Sequence, residues 1–131
     1  THETAWIHER IMTPDEINRL VAELVMGWRA IYTAQTWHIP PKDDRPSSFM
    51  RMEDWSPFTD IGQAFLVQAA MRMKGWWMWL ESPWYVGDQW TAGFTPLLKP
   101  TGYRNPNCLA SADTPSAAIC LAALRTVGEE V

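Results

Sequence analysis

DIGQAFLVQAAMRMKGWWMWL, residues 60–80, is the stretch on which the architecture turns. Through residues 61–74 the apolar side chains Ile61, Ala64, Phe65, Leu66, Val67, Ala69, Ala70, Met71 and Met73 leave polar side chains only at Gln63, Gln68, Arg72 and Lys74. Apolar groups on nearly every side, with no internal proline, predict a helix buried around most of its circumference. Asp60, with Gln63 three residues on, supplies an N-cap pair. Gly75 stops the helix. Trp76-Trp77-Met78-Trp79-Leu80 then reads as a strand with Trp77 and Trp79 on one face and Trp76, Met78 and Leu80 on the other. A strand apolar on both faces needs helical cover. Helix and strand together predict a layered domain with this pair at its centre.

Working back from that stretch, Thr13-Pro14-Asp15-Glu16 is a helix start. Thr13 is placed to cap, Pro14 sits at the first helical position, and Glu16 completes a capping box. Ile17, Leu20, Val21, Leu24 and Val25 follow at the spacing of one apolar stripe, while Asn18, Arg19 and Glu23 are expected to face water. Gly27 supplies the left-handed residue after the last turn. Residues 28–34 and 36–39 read as a hairpin turning near Ala34 and Gln35, ended by Pro40-Pro41 because proline cannot donate to a ladder. Residues 42–52 are expected to form a long loop, a kind of segment that is commonly functional. Residues 1–12 are expected to be a leader or extension preceding one domain over 13–131.

Working forward, Gln89 to Pro96 alternates Trp90, Ala92 and Phe94 with Thr91, Gly93 and Thr95, as in a strand buried on one side. Residues 96–107 carry Pro96, Pro100, Gly102 and Pro106 and are expected to be irregular. Thr114-Pro115 opens a third helix, rich in alanine and ended by Gly128. The expected order is α-ββ-α-ββ-α. The fold class is α+β, an α/β/α sandwich around a central, mostly antiparallel four-stranded sheet.

At 131 residues, 47% hydrophobic and 20% charged, the chain can bury a core without a metal or disulfide staple. A net charge of −4 argues against nonspecific nucleic-acid binding, which wants a basic surface. No run of eighteen apolar residues exists, so no membrane span is expected. Cys108 and Cys120 are read as small hydrophobes of a reduced, cytoplasmic protein.

Three segments together carry a family resemblance. They are Met12-Thr13-Pro14-Asp15-Glu16-Ile17 leading to Val25-Met26-Gly27-Trp28, then Trp55-Ser56-Pro57-Phe58-Thr59-Asp60-Ile61, then Ala112-Asp113-Thr114-Pro115-Ser116-Ala117-Ala118-Ile119-Cys120-Leu121-Ala122-Ala123-Leu124. In combination they resemble the phage ABA sandwich domain proteins, small accessory proteins of bacteriophages and prophages. The resemblance runs from Met12 onward and implies an α/β/α sandwich. It implies no enzymatic activity. The residues before Met12 and the long 42–52 segment depart from the family pattern.

Chemistry is thinly represented. His2, His8 and His38 are scattered and no Cys-x-x-Cys or His-x-x-x-His pair occurs, so no metal or cofactor is expected. No Gly-x-Ser-x-Gly elbow or phosphate loop is present. Asp43, Asp44, Glu53, Asp54 and Asp60 cluster in sequence, yet solvation and capping account for them more simply than acid–base work does. Trp77, Trp79, Trp90 and Phe94 are expected in the core. Trp55, Trp84 and Tyr103 fall in loops near Arg45, Arg51 and Arg104. An aromatic face beside a guanidinium fork suits either a nucleotide-like ligand or a protein interface. These six residues are the candidate partner-binding set, with the closing of the sandwich ends as their alternative role. The expected function is that of a non-enzymatic phage accessory protein in the bacterial host cytoplasm, binding and blocking a protein of a host immune system. The alternatives are a sponge for a nucleotide-type immune signal, or a structural and assembly role in which exposed tryptophans build a homo-oligomer.

Overall fold

The computed structural model describes residues 12–85, 87–97 and 105–130. Helix α1 spans Pro14–Leu20 and runs on as a π-helical turn, Val21–Val25. The Thr13 hydroxyl accepts from the Glu16 N–H at 3.2 Å, as the capping motif requires. At the other end the Trp28 N–H reaches back to the Ala22 carbonyl at 2.9 Å across Gly27, whose φ of +74° only glycine adopts freely. Three strands follow, β1 Arg29–Ile31, β2 Thr36–Ile39 and β3 Ser48–Arg51, then a 3-10 turn at Met52–Asp54. Helix α2 is Ile61–Met73, capped by Asp60, which accepts from the Gln63 N–H at 3.0 Å. Strand β4 is Trp76–Glu81, β5 Trp90–Pro96 and β6 Leu109–Ala112, the last entered through a 3-10 turn at Pro106–Cys108. Helix α3 is Pro115–Glu130.

The strands form two antiparallel three-stranded sheets, β1-β2-β3 and β4-β5-β6, in place of the single four-stranded sheet expected. The two additional strands account for the difference. β3 lies inside the segment expected to be a loop, and β6 in a run of alanine and serine with little strand propensity of its own. Each is ordered by its neighbour: Trp37 pairs with Met50, and Ala92 with Ala110. Helix α3 also runs past Gly128, because its buried face outweighs one glycine inside the helix.

The expected centre moves as well. Helix α2 buries only Ala64, Val67 and Met71, and leaves Phe65, Leu66 and Met73 between 46% and 71% exposed. The element at the centre is α3, where Ala118, Ile119, Cys120, Ala122, Ala123 and Leu124 are all fully buried. It packs against β5 and β6 on one side and against α2, α1 and the π-turn on the other. Small side chains let it approach several elements at once. Ala92, Phe94, Ala110 and Ala112 meet it from the second sheet, with Trp76, Met78 and Leu80 completing that inner layer.

The outer face of the second sheet holds Trp77 and Trp79, both expected in the core. Trp77 is 51% exposed, with the Arg72 guanidinium 5.1 Å from its ring centroid. Trp79 lies flat across Gly93, where a Cβ would stand 2.3 Å from the indole. The glycine is therefore required by contact and not by backbone conformation.

Candidate functional site

Between the first sheet and α2 lies a groove of about 500 Å³. Its sheet side is Trp28, Ile39, Ser48 and Met50, its helix side Leu66, Ala69, Ala70 and Met73, with Met26 beside them. The register explains why one face of the sheet is apolar: Ala30, Trp37 and Met50 stand in a row across the three strands. The connection from β2 to β3 adds Pro40, Pro41, Lys42 and Arg45. Here the Lys42 N–H donates to the Arg45 carbonyl at 3.0 Å and the Arg45 N–H to the Lys42 carbonyl at 2.8 Å, closing a two-residue turn. Asp43 sits at a φ of +49°, a conformation aspartate tolerates better than most residues. Side chains of directly opposed residues leave a ladder on the same side, so both cations are delivered to the groove together while Asp43 and Asp44 occupy the tip.

Of the four candidate residues that the structure describes, Arg45 alone lines this groove. Trp55 stands behind it: the ring is 2% exposed, its centroid is 4.6 Å from that of Trp28, and its Nε1–H donates to the Asn18 carbonyl at 3.0 Å. Asn18 in turn accepts from the Phe58 N–H at 3.0 Å through its side chain, so it pins the 55–58 segment instead of facing water as expected. Gln63 finishes that anchorage, accepting from the Ser56 N–H and donating to the Asp54 carbonyl. Trp55 thus holds Trp28 in place and offers no face of its own. Arg51 is engaged at 3.1 Å by Glu53 and at 3.0 Å by Asp54. The Asp54 hydrogen bond and charge, with Glu53, raise the pKa of its guanidinium. Trp84 is 78% exposed in the β4–β5 connection, where its Nε1–H donates to Glu81 at 2.9 Å. Tyr103 and Arg104 lie outside the described residues.

The sequence reading missed Lys42, Met50, Leu66 and Met73. The Lys-Asp-Asp-Arg run after two prolines was the available signal, since aspartate at the tip of a two-residue turn brings its flanking residues side by side.

Among the described residues the groove lining contains no carboxylate, imidazole or thiol. Among the described residues no cluster of three or more His, Cys, Asp or Glu could hold a metal ion, and no helix is long and apolar enough to cross a membrane. Both cysteines are buried, and burial pushes the Cys120 thiol from 9.0 up to about 12. In the unfolded chain that thiol ionises from pH 9.0, whereas the folded protein keeps it neutral to about pH 12. Unfolding therefore releases a proton within that window, and this contribution to stability, complete below it, is lost as pH rises through it. The expected slope is about 1.4 kcal/mol per pH unit. Urea midpoints compared between the parent and Cys120→Ala from pH 8 to 11 should show the shallower alkaline decline in the variant, and parallel curves would contradict the assignment.

The fold is a mixed α+β domain with an apolar, cation-edged groove between its first sheet and α2. The chain matches the phage ABA sandwich domain over residues 19–124 and belongs to that family. Among solved structures it is similar to a phage protein from Bacillus cereus ATCC 14579, with 18% identity, a TM-score of 0.59, and coverage of 89% of this chain and 94% of that one. At that identity the likeness is one of fold. No curated protein matches the chain.

Proposed function

We propose that this chain is a non-enzymatic phage accessory protein that uses the groove between β1-β2-β3 and α2 to grip an apolar segment of a host protein and block it. Membership of a phage family supports the setting, the bacterial host cytoplasm, and a component of a host immune system is the target class proposed. One observation carries the binding mode. The groove is lined by Met26, Met50, Met73 and Leu66, with Lys42 and Arg45 as its only charged groups among the described residues. Flexible thioethers adapt to an apolar partner surface, and paired cations orient an acidic residue at its end. A nucleotide signal would call for polar groups reading a base, and among the described residues Ser48 is the sole hydroxyl or amide side chain in the lining.

Leu66 is half exposed, so Leu66→Glu is expected to leave folding stability within about 0.5 kcal/mol. It should weaken capture of the host protein at least tenfold, about 1.4 kcal/mol. The measurement is retention of one host protein from cell extract by the parent chain and not by the variant, followed by inhibition of that protein's activity. Equal retention by both would remove the groove from the mechanism, and calorimetric heat with cyclic or ADP-ribose-type nucleotides would replace the protein partner by a small-molecule one.

A further inference from the structure

Among the described residues the outer edge of β3 is open, and the register shows which backbone groups it presents. The Met52 N–H donates to the Gln35 carbonyl at 2.9 Å, just beyond the paired residues Thr36 and Arg51. In an antiparallel ladder hydrogen-bonded pairs alternate with non-bonded ones. With Gln35 and Met52 at a bonded position, Trp37–Met50 and Ile39–Ser48 are bonded pairs as well. Thr36–Arg51 and His38–Phe49 are the pairs between them. The N–H and C=O groups of Phe49 and Arg51 therefore point away from β2, and among the described residues β3 has no second neighbour in the sheet. Natural edges are blunted by proline, inward charge or a bulge. This one instead carries Phe49, 64% exposed, with Arg51 as the strand's sole charge.

We infer that β3 pairs antiparallel with β3 of a second copy of this chain about a two-fold axis at Met50, fusing the two first sheets into one of six strands. The register selects the occupant. Met50 opposite its own copy sets Phe49 against Arg51 of the second chain and Arg51 against its Phe49. Those are the residues with outward backbone groups, and each pair exchanges two hydrogen bonds. A two-fold axis at Met50 uses only residues already extended in β3, whereas one at Phe49 would recruit Ser47, which lies outside the strand. On the face away from the groove the Arg51 guanidinium comes over the exposed ring of Phe49 in the second copy. Charge agrees: the segment entering β3 carries Arg45 and the turn leaving it carries Glu53 and Asp54. Antiparallel pairing lays each basic entry beside the other chain's acidic exit. On the groove face Met50 of the second copy closes the open β3 side of each groove, so the two grooves meet at the axis.

The full-length chain at tens of micromolar is expected to scatter light as a particle of twice its 15.0 kDa mass. Phe49→Pro removes an N–H that no ladder bond uses and should yield the single-chain mass with an unchanged circular dichroism spectrum. Met50→Cys should cross-link two chains under mild oxidation of the native protein. Cα atoms in a non-bonded antiparallel pair stand about 4.5 Å apart, within disulfide reach, and the two native thiols are buried. A single-chain mass for the parent overturns the inference, as does a dimer that Met50→Cys fails to cross-link. Should Phe49→Pro not fold, the cross-link decides alone. No host partner enters these measurements, so their failure leaves the groove reading standing, and loss of host capture with an intact dimer leaves this one standing.

Discussion

Phe94→Ala is expected to remove about 3–5 kcal/mol of folding stability. Phe94 is 1% exposed at the middle of β5, opposite Met78 of β4, and belongs to the layer that meets α3. The surrounding atoms have little freedom to collapse into the space left behind. Ala92 and Ala110 on the sheet and Ala118, Ala122 and Ala123 on the helix are already at their smallest, and their backbones are held in ladder or helix. A typical domain has only about 5–15 kcal/mol in all, so the melting temperature should fall by roughly 10 °C or more. Thermal unfolding followed by circular dichroism measures this directly. A loss below about 1 kcal/mol would mean that the second sheet and α3 are not packed as described.

The second large effect is at Trp55, and it separates support from contact. Trp55→Ala should also lose about 3–5 kcal/mol, because it empties the space beside Trp28 and takes the indole donor from the Asn18 carbonyl, which keeps the Val21 N–H. Trp55→Phe keeps most of the ring and forfeits only the Nε1–H, a change worth about 0.5–1.5 kcal/mol because the Asn18 carbonyl keeps the Val21 N–H. Trp55→Phe should still capture the host protein at near-parental strength once the folded fraction is accounted for. A direct binding role would show the reverse pattern, with stability little altered and capture abolished. Denaturant titration and surface-bound capture on the same samples distinguish the two.

Much of the fold was legible locally. Thr13, Gly27 and Asp60 announce helix ends through chemistry that involves only a few neighbouring residues, and the alternation from Trp90 to Thr95 assigns the two faces of β5 without knowledge of the rest. Two features required the tertiary structure. Ser48-Phe49-Met50-Arg51 and Leu109-Ala110-Ser111-Ala112 become strands because β2 and β5 offer them ladders, and nothing in either run demands an extended backbone. The exchange of roles between α2 and α3 has a similar origin. Hydropathy ranks Phe, Leu and Met above Ala, but a helix touching several layers needs small side chains, so the more apolar helix is the more exposed one.

Among the described candidate residues, Arg45 is the one that lines the groove. Loop position drew attention to Trp55, Trp84 and Arg51, yet Trp55 is consumed by packing and Arg51 by Glu53 and Asp54. The groove instead gathers Met26, Met50, Leu66 and Met73 from separate elements, and no one-dimensional spacing relates them.

The tilted pair of indoles behind the groove has an optical consequence. Rings 4.6 Å apart at 58° to one another are close enough for their electronic transitions to couple. That coupling gives the protein a built-in chromophore whose dichroic couplet depends on how Trp28 sits. Because Trp28 is also a wall of the groove, occupancy can be followed spectroscopically, without a label or knowledge of what has entered.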